Sequence, residues 1–97
     1  MNLDKDIINS IVDAAIKYEI DKIVLFGSRA RGDNDLKSDI DLAVYSNKDI
    51  FEFIEDIENN APTLLEFDFS DMKNISDEFF INQVENDGVI LYEKHWF

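Results

Sequence analysis

The stretch Lys22-Ile23-Val24-Leu25-Phe26-Gly27-Ser28-Arg29-Ala30-Arg31-Gly32-Asp33-Asn34-Asp35-Leu36-Lys37-Ser38-Asp39-Ile40-Asp41-Leu42-Ala43-Val44 decides how this chain is read. It starts with a short β-branched and aromatic run, Lys22 to Phe26, that predicts a buried strand closed by Gly27 in a tight turn. A second run, Asp39 to Tyr45, alternates acidic or polar with apolar residues and predicts the next strand. Successive strand side chains point to opposite faces. Asp39 and Asp41 therefore share a face with Cα atoms ~6.5 Å apart, while Ile40 and Leu42 point into a core. Ionised carboxylates in an apolar strand are costly unless they are paired or bound to a cation. Two of them, one residue apart and opposite a small-residue turn, suit hard divalent cations with oxygen ligands.

Outward from this stretch, Leu3, Ile7, Ile8, Ile11, Val12, Ala15 and Ile16 recur at helical spacing, with Asp4 or Asp6 at the positive end of the helix dipole. Downstream, Ile50 to Ile57 predicts a helix that Asn59, Asn60 and Pro62 end. Thr63 to Phe69 predicts a third strand. Ser76 is the expected N-cap of a helix over Asp77 to Glu85, Gly88 its C-terminal stop, and Val89 to Tyr92 a last strand. The order α-β-(turn-helix)-β-α-β-α-β, without repeats or linkers, predicts an α/β (α+β) fold with a small mixed β-sheet flanked by helices, one domain over residues 1–97.

Charge and size narrow the function. The chain has 97 residues, 22 acidic against 9 basic, and a formal net charge of −13. Such a field repels polyanions, so direct binding of nucleic acid is not expected. Binding a nucleoside triphosphate here requires divalent metal and locally placed cations. A single small domain leaves no room for separate substrate-gripping domains, so a large substrate has to be held by a partner. There is no cysteine, which removes disulfides and thiolate metal sites. No apolar run is long enough for a membrane span, and the first residues are acidic rather than basic then apolar, so a cytoplasmic location is expected.

Three features carry candidate chemistry. Gly27 allows a close approach of backbone to ligand, and the N–H groups after it, with the Ser28 hydroxyl, can face phosphate oxygens; the bland reading makes Ser28 an ordinary N-cap. The chain's only two arginines, Arg29 and Arg31, both fall in this turn. Their guanidinium forks suit phosphate and stay charged at any working pH, although surface pairing with Asp33 or Asp35 would also explain them. The third feature is the carboxylate set. Leu64-Leu65-Glu66-Phe67-Asp68-Phe69 offers Glu66 and Asp68 on one face as a third acid beside Asp39 and Asp41, with Leu65, Phe67 and Phe69 on the other. A solvated strand edge is the alternative. No lysine in the Walker position follows the glycine, which disfavours a P-loop hydrolase. His95 has no paired ligand and reads as a surface or packing residue. Trp96 and Phe97 suit either a partner or the chain's own core. Glu52, Glu55, Asp56 and Glu58 read as a solvated helix face.

The pattern Gly-Ser, ten residues, Asp-x-Asp resembles the signature of the nucleotidyltransferase superfamily that includes DNA polymerase beta. Together with Glu66-Phe67-Asp68-Phe69 and Val84-Glu85-Asn86-Asp87-Gly88-Val89-Ile90-Leu91-Tyr92-Glu93, it resembles the minimal nucleotidyltransferases, the MntA-like antitoxins of prokaryotic HEPN/MNT modules, over about residues 20 to 93. The resemblance implies a nucleotidyltransferase fold and magnesium-dependent transfer of AMP from ATP to a hydroxyl, commonly a tyrosine of a cognate helical HEPN ribonuclease toxin, which it silences in a hetero-oligomer. It further implies that Gly27 and Ser28 bind the triphosphate, with Arg29 and Arg31 beside them. Asp39 and Asp41 would bridge two Mg²⁺ ions, and Asp68, rather than Glu66, would complete the catalytic and metal-binding set. The alternative is a non-catalytic nucleotide-binding antitoxin that neutralises its partner by direct binding. A drug-modifying nucleotidyltransferase would need a second domain.

Overall fold

The computed structural model describes residues 1–94, so the sequence readings of His95, Trp96 and Phe97 lie outside the described residues. Helix α1 (Lys5–Lys17) starts at Asp4, whose carboxylate accepts the N–H of Asp6 at 2.8 Å, satisfying one of the donors a helix start leaves open. Strand β1 (Lys22–Phe26) follows, then a single helical turn, α2 (Ser28–Arg31), and strand β2 (Ile40–Tyr45). Helix α3 (Phe51–Asn60) ends as Ala61 turns extended, the conformation that the following Pro62 imposes. Strand β3 (Phe67–Asp71), a short 3₁₀ turn (Met72–Asn74), helix α4 (Glu78–Asp87) and strand β4 (Val89–Glu93) complete the order.

The four strands form a mixed sheet in the order β3-β2-β1-β4. Strand β1 is antiparallel to both β2 and β4, and β3 runs parallel to β2 through the α3 crossover. The mixed sheet and flanking helices agree with the sequence reading. One face packs under α1 and α3: Ile23, Leu25, Ile40, Leu42 and Val44 are buried there with Ile11, Phe53 and Ile57, and Phe67 and Phe69 close the β3 side. Across the same strands, Val24 and Ala43 meet Met72 and Val84 under α4, while Phe26 crosses the Phe80 ring edge-on at 5.5 Å. Among the described residues no helix is long and apolar enough to cross a membrane.

Several boundaries differ from the sequence reading: α3 runs on through Asn59 and Asn60, which the sequence reading placed among its terminators, and two differences have a clear local reason. Strand β3 begins at Phe67 rather than Thr63, because the Thr63 hydroxyl accepts the N–H of Leu65 and folds residues 61–65 into a bend, leaving Leu64 fully exposed. The cap of α4 is Asp77, not Ser76. Its carboxylate accepts from the N–H of Phe79 at 3.0 Å and of Phe80 at 3.4 Å, and the helix runs on to Asp87.

Candidate active site

The site forms at the end of the sheet where β1 stops and the parallel pair β2 and β3 begins. Asp41 stands opposite Phe26 of β1 on one side and opposite Asp68 of β3 on the other, so the two acids face the same way from directly paired positions on neighbouring strands, about 4.8 Å apart at the backbone. Asp39 lies two residues earlier on the same side, just before β2, and is exposed. Glu66 lies before β3, and its carbonyl accepts the N–H of Ile40 at 2.9 Å.

Gly27 makes the turn against this pair possible. Its φ of +74° is a conformation that side chains rarely adopt, and a Cβ there would overlap the Asp41 carboxylate. The glycine therefore lets the backbone of the turn and the Asp41 side chain share one space. After it, α2 is closed by the Arg31 N–H on the Gly27 carbonyl at 3.2 Å and the Gly32 N–H on the Ser28 carbonyl at 2.8 Å. The earlier N–H groups of this turn have no helical acceptor.

The electrostatics converge on Asp41. Burial raises its pKa first, then the charges of Asp68 and Asp39, with Arg31 opposing. None of the side-chain hydrogen bonds or salt bridges among the described residues ends on the carboxylate of Asp39, Asp41 or Asp68. Three mutually repelling oxygen donors without a protein counter-charge in contact fit a hard divalent cation by chemistry. They are not drawn into a finished cage: among the described residues no three such ligands already stand together as a metal site. A groove away from these acids lies between α1 and α3, lined by Asp6, Asp13, Lys17, Asp56 and Asn60.

The two arginines part company. Arg31 is exposed, and only its Nε is engaged, on Asp33 at 3.1 Å, which leaves the rest of the guanidinium toward solvent near the acids. Arg29 is 6% exposed and spends its guanidinium on backbone: Nε on the Ser38 carbonyl at 2.9 Å, one terminal nitrogen on Asn2 at 3.2 Å and the other on Leu36 at 3.3 Å. The sequence places Arg29 beside the expected phosphate contacts, as a cation next to a glycine-serine turn. In the structure Arg29 and Ala30 form the inner side of the single turn whose outer side carries Arg31.

Comparison with known proteins agrees with this geometry. The profile of the family described as polymerase beta, nucleotidyltransferase matches residues 9–96. A crystal structure of a toxin-antitoxin with AMP-PNP superposes with a TM-score of 0.69 at 24% identity, covering 90% of this chain and 73% of the other. A putative nucleotidyltransferase from Sulfolobus solfataricus is 22% identical over 97% of this chain and 93% of its own, with a TM-score of 0.44. Comparison with curated proteins gives no match. With the family's profile spanning nearly the whole sequence, and a mixed sheet that sets a glycine-serine turn against paired aspartates, the chain belongs to the polymerase beta nucleotidyltransferase family.

Proposed function

We propose that this chain is the antitoxin of a toxin-antitoxin pair and transfers AMP from ATP to a tyrosine hydroxyl of a cognate HEPN-type helical toxin. The observation that carries this reading is the meeting of Asp41 and Asp68 across β2 and β3, with Asp39 beside them and Gly27 pressed on Asp41. The fold likeness to a toxin-antitoxin solved with AMP-PNP supports the choice of nucleotide and partner. The exposure of Asp39 and Asp68 supports a substrate presented by another protein.

In this reading the N–H groups after Gly27 and the Ser28 hydroxyl receive the triphosphate, and Arg31 turns its free guanidinium edge to the same oxygens. Asp39, Asp41 and Asp68 would hold divalent cations, magnesium in this proposal, which when bound offset the triphosphate charge and favour the ionised form of the attacking hydroxyl. The tyrosine oxygen bonds to the α-phosphorus, the bond to the bridging oxygen breaks and pyrophosphate leaves. Asp68, on the exposed edge strand, is the carboxylate placed to meet the incoming hydroxyl and its proton. Asp41, half-buried, keeps its position through the packing of β2.

The test combines the protein, α-labelled ATP, magnesium and the product of the adjacent gene, and repeats the assay with Asp39→Ala. Label on a partner tyrosine that disappears in the variant is the expected result. A partner that stays unlabelled yet is bound equally by parent and variant would favour neutralisation by occlusion and sink the transferase reading.

A further inference from the structure

The ten residues between Ser28 and Asp39 form no strand or long helix, yet they set the distance from the turn to the first acid. An unrestrained loop of this length samples many conformations, and holding it in one costs entropy. Arg29 supplies the restraint. From a buried position its three guanidinium nitrogens reach the carbonyls of Ser38, Leu36 and Asn2, and its own carbonyl accepts the N–H of Asn2 at 2.8 Å. Ser38 is the residue immediately before Asp39. The same segment is braced from within: the Asp35 carboxylate accepts the N–H of Lys37 at 2.8 Å and the Ser38 hydroxyl at 3.3 Å, and that hydroxyl accepts the N–H of Asp35 at 3.1 Å. One side chain thus ties the turn after Gly27 to the loop that delivers Asp39.

We infer that Arg29 is a positioning residue, not a phosphate ligand, and that it acts by fixing Asp39 relative to the Gly27-Ser28 turn. A lysine cannot replace it, because a single ammonium cannot span three carbonyls in the plane of a guanidinium fork. This inference rests on the proposed transfer only for its kinetic consequence; the structural part stands apart from it.

The test uses Arg29→Lys and Arg29→Met in the full chain, with three readouts: amide hydrogen exchange, affinity for AMP-PNP, and labelled transfer to the partner. Exchange over residues 33–39 should accelerate about tenfold or more in both variants, while α1, β1 and β2 keep the parent's protection. Affinity for AMP-PNP should stay within about threefold, and the transfer rate at saturating ATP should fall about tenfold to a hundredfold, since small misplacements at a reacting centre cost that much. Unchanged exchange in 33–39 would overturn the inference. So would a collapse of AMP-PNP affinity that Arg29→Lys rescues, which would make the side chain a phosphate contact. Loss of protection throughout the sheet in both variants would assign Arg29 to general stability and overturn it as well. If the parent itself transfers no label, the proposed function fails, and exchange with affinity still decides the role of Arg29.

Discussion

On the α1–α3 side of the sheet, Ile23, Leu25, Ile40 and Leu42 are 0% exposed, whereas across the same strands Asp41 is half-buried and Asp68 exposed. The difference is a matter of one-residue alternation: the step from Ile40 to Asp41 along β2 moves from a side chain that holds the fold to one that faces the candidate site. The apolar face is covered by two helices, while the opposite face carries a smaller cluster under α4, Val24, Ala43, Met72 and Val84 with Phe26 and Phe80 against it. Acids tolerated on the second face would be ruinous on the first. The stability of the sheet is thus supplied by one side and spent, in part, on the other.

The sharpest way to break this division is Asp41→Asn. If the proposed transfer holds, it should drop to background, because a proposed metal-ligand oxygen and its charge are lost together. The folded protein should nevertheless melt a few degrees higher at pH 7. Burial and the charges of Asp68 and Asp39 hold the Asp41 carboxyl above its ordinary value in the folded state. The folded protein therefore binds that proton more tightly than the unfolded chain, and ionisation of Asp41 subtracts stability at neutral pH. Below the ordinary aspartate value of 3.8 the carboxyl is neutral in both states, so the advantage of the variant should fade as pH falls toward it. Thermal melts of parent and variant from pH 7 down to the acid range check the sign; a variant less stable than the parent at pH 7 would show that Asp41 is already satisfied within the protein.

Leu42→Ala tests the other face. It should cost about 2–5 kcal/mol of unfolding free energy, the transfer loss plus the cavity left beneath α1 and α3. The fraction that remains folded should keep most of its transfer activity. Denaturant titration beside the labelled assay separates the two quantities. Gly27→Ala joins both faces in a smaller effect. Its positive φ costs about 1–2 kcal/mol with a side chain present, and the new methyl would push Asp41 from its place. Activity should then fall by more than the loss of folded protein explains, which a melt and a rate measurement on the same sample would show.

Much of this was legible in the sequence, and the reasons are local. Strands β1 and β2 announce themselves because one is an unbroken apolar run ended by glycine and the other alternates, and both were found within a residue of their ends. The apposition of Asp41 and Asp68 also follows from alternation once β2 and β3 are taken as neighbours. The start of β3 was not legible, because Thr63 and Leu65 have good strand propensity and only a side-chain hydrogen bond turns the chain there. Asp77 and Ser76 are both good caps, and the choice between them depends on where α4 packs. The contacts of Arg29 lay beyond any pattern, since backbone carbonyls at positions 2, 36 and 38 leave no mark in a motif.

The strand order has a kinetic consequence. Strands β1 and β2 meet across a short connection and β3 joins through one helix, but β4 must return from the far end of the sequence to flank β1. Long loops are expensive to close before their contacts form. The β1-β2-β3 nucleus, with Asp41 and Asp68 already side by side, should therefore assemble first and β4 dock late. Weakening β4 should then mainly hasten unfolding, whereas weakening β1 should slow refolding, a contrast that stopped-flow measurements on the two sets of variants would reveal.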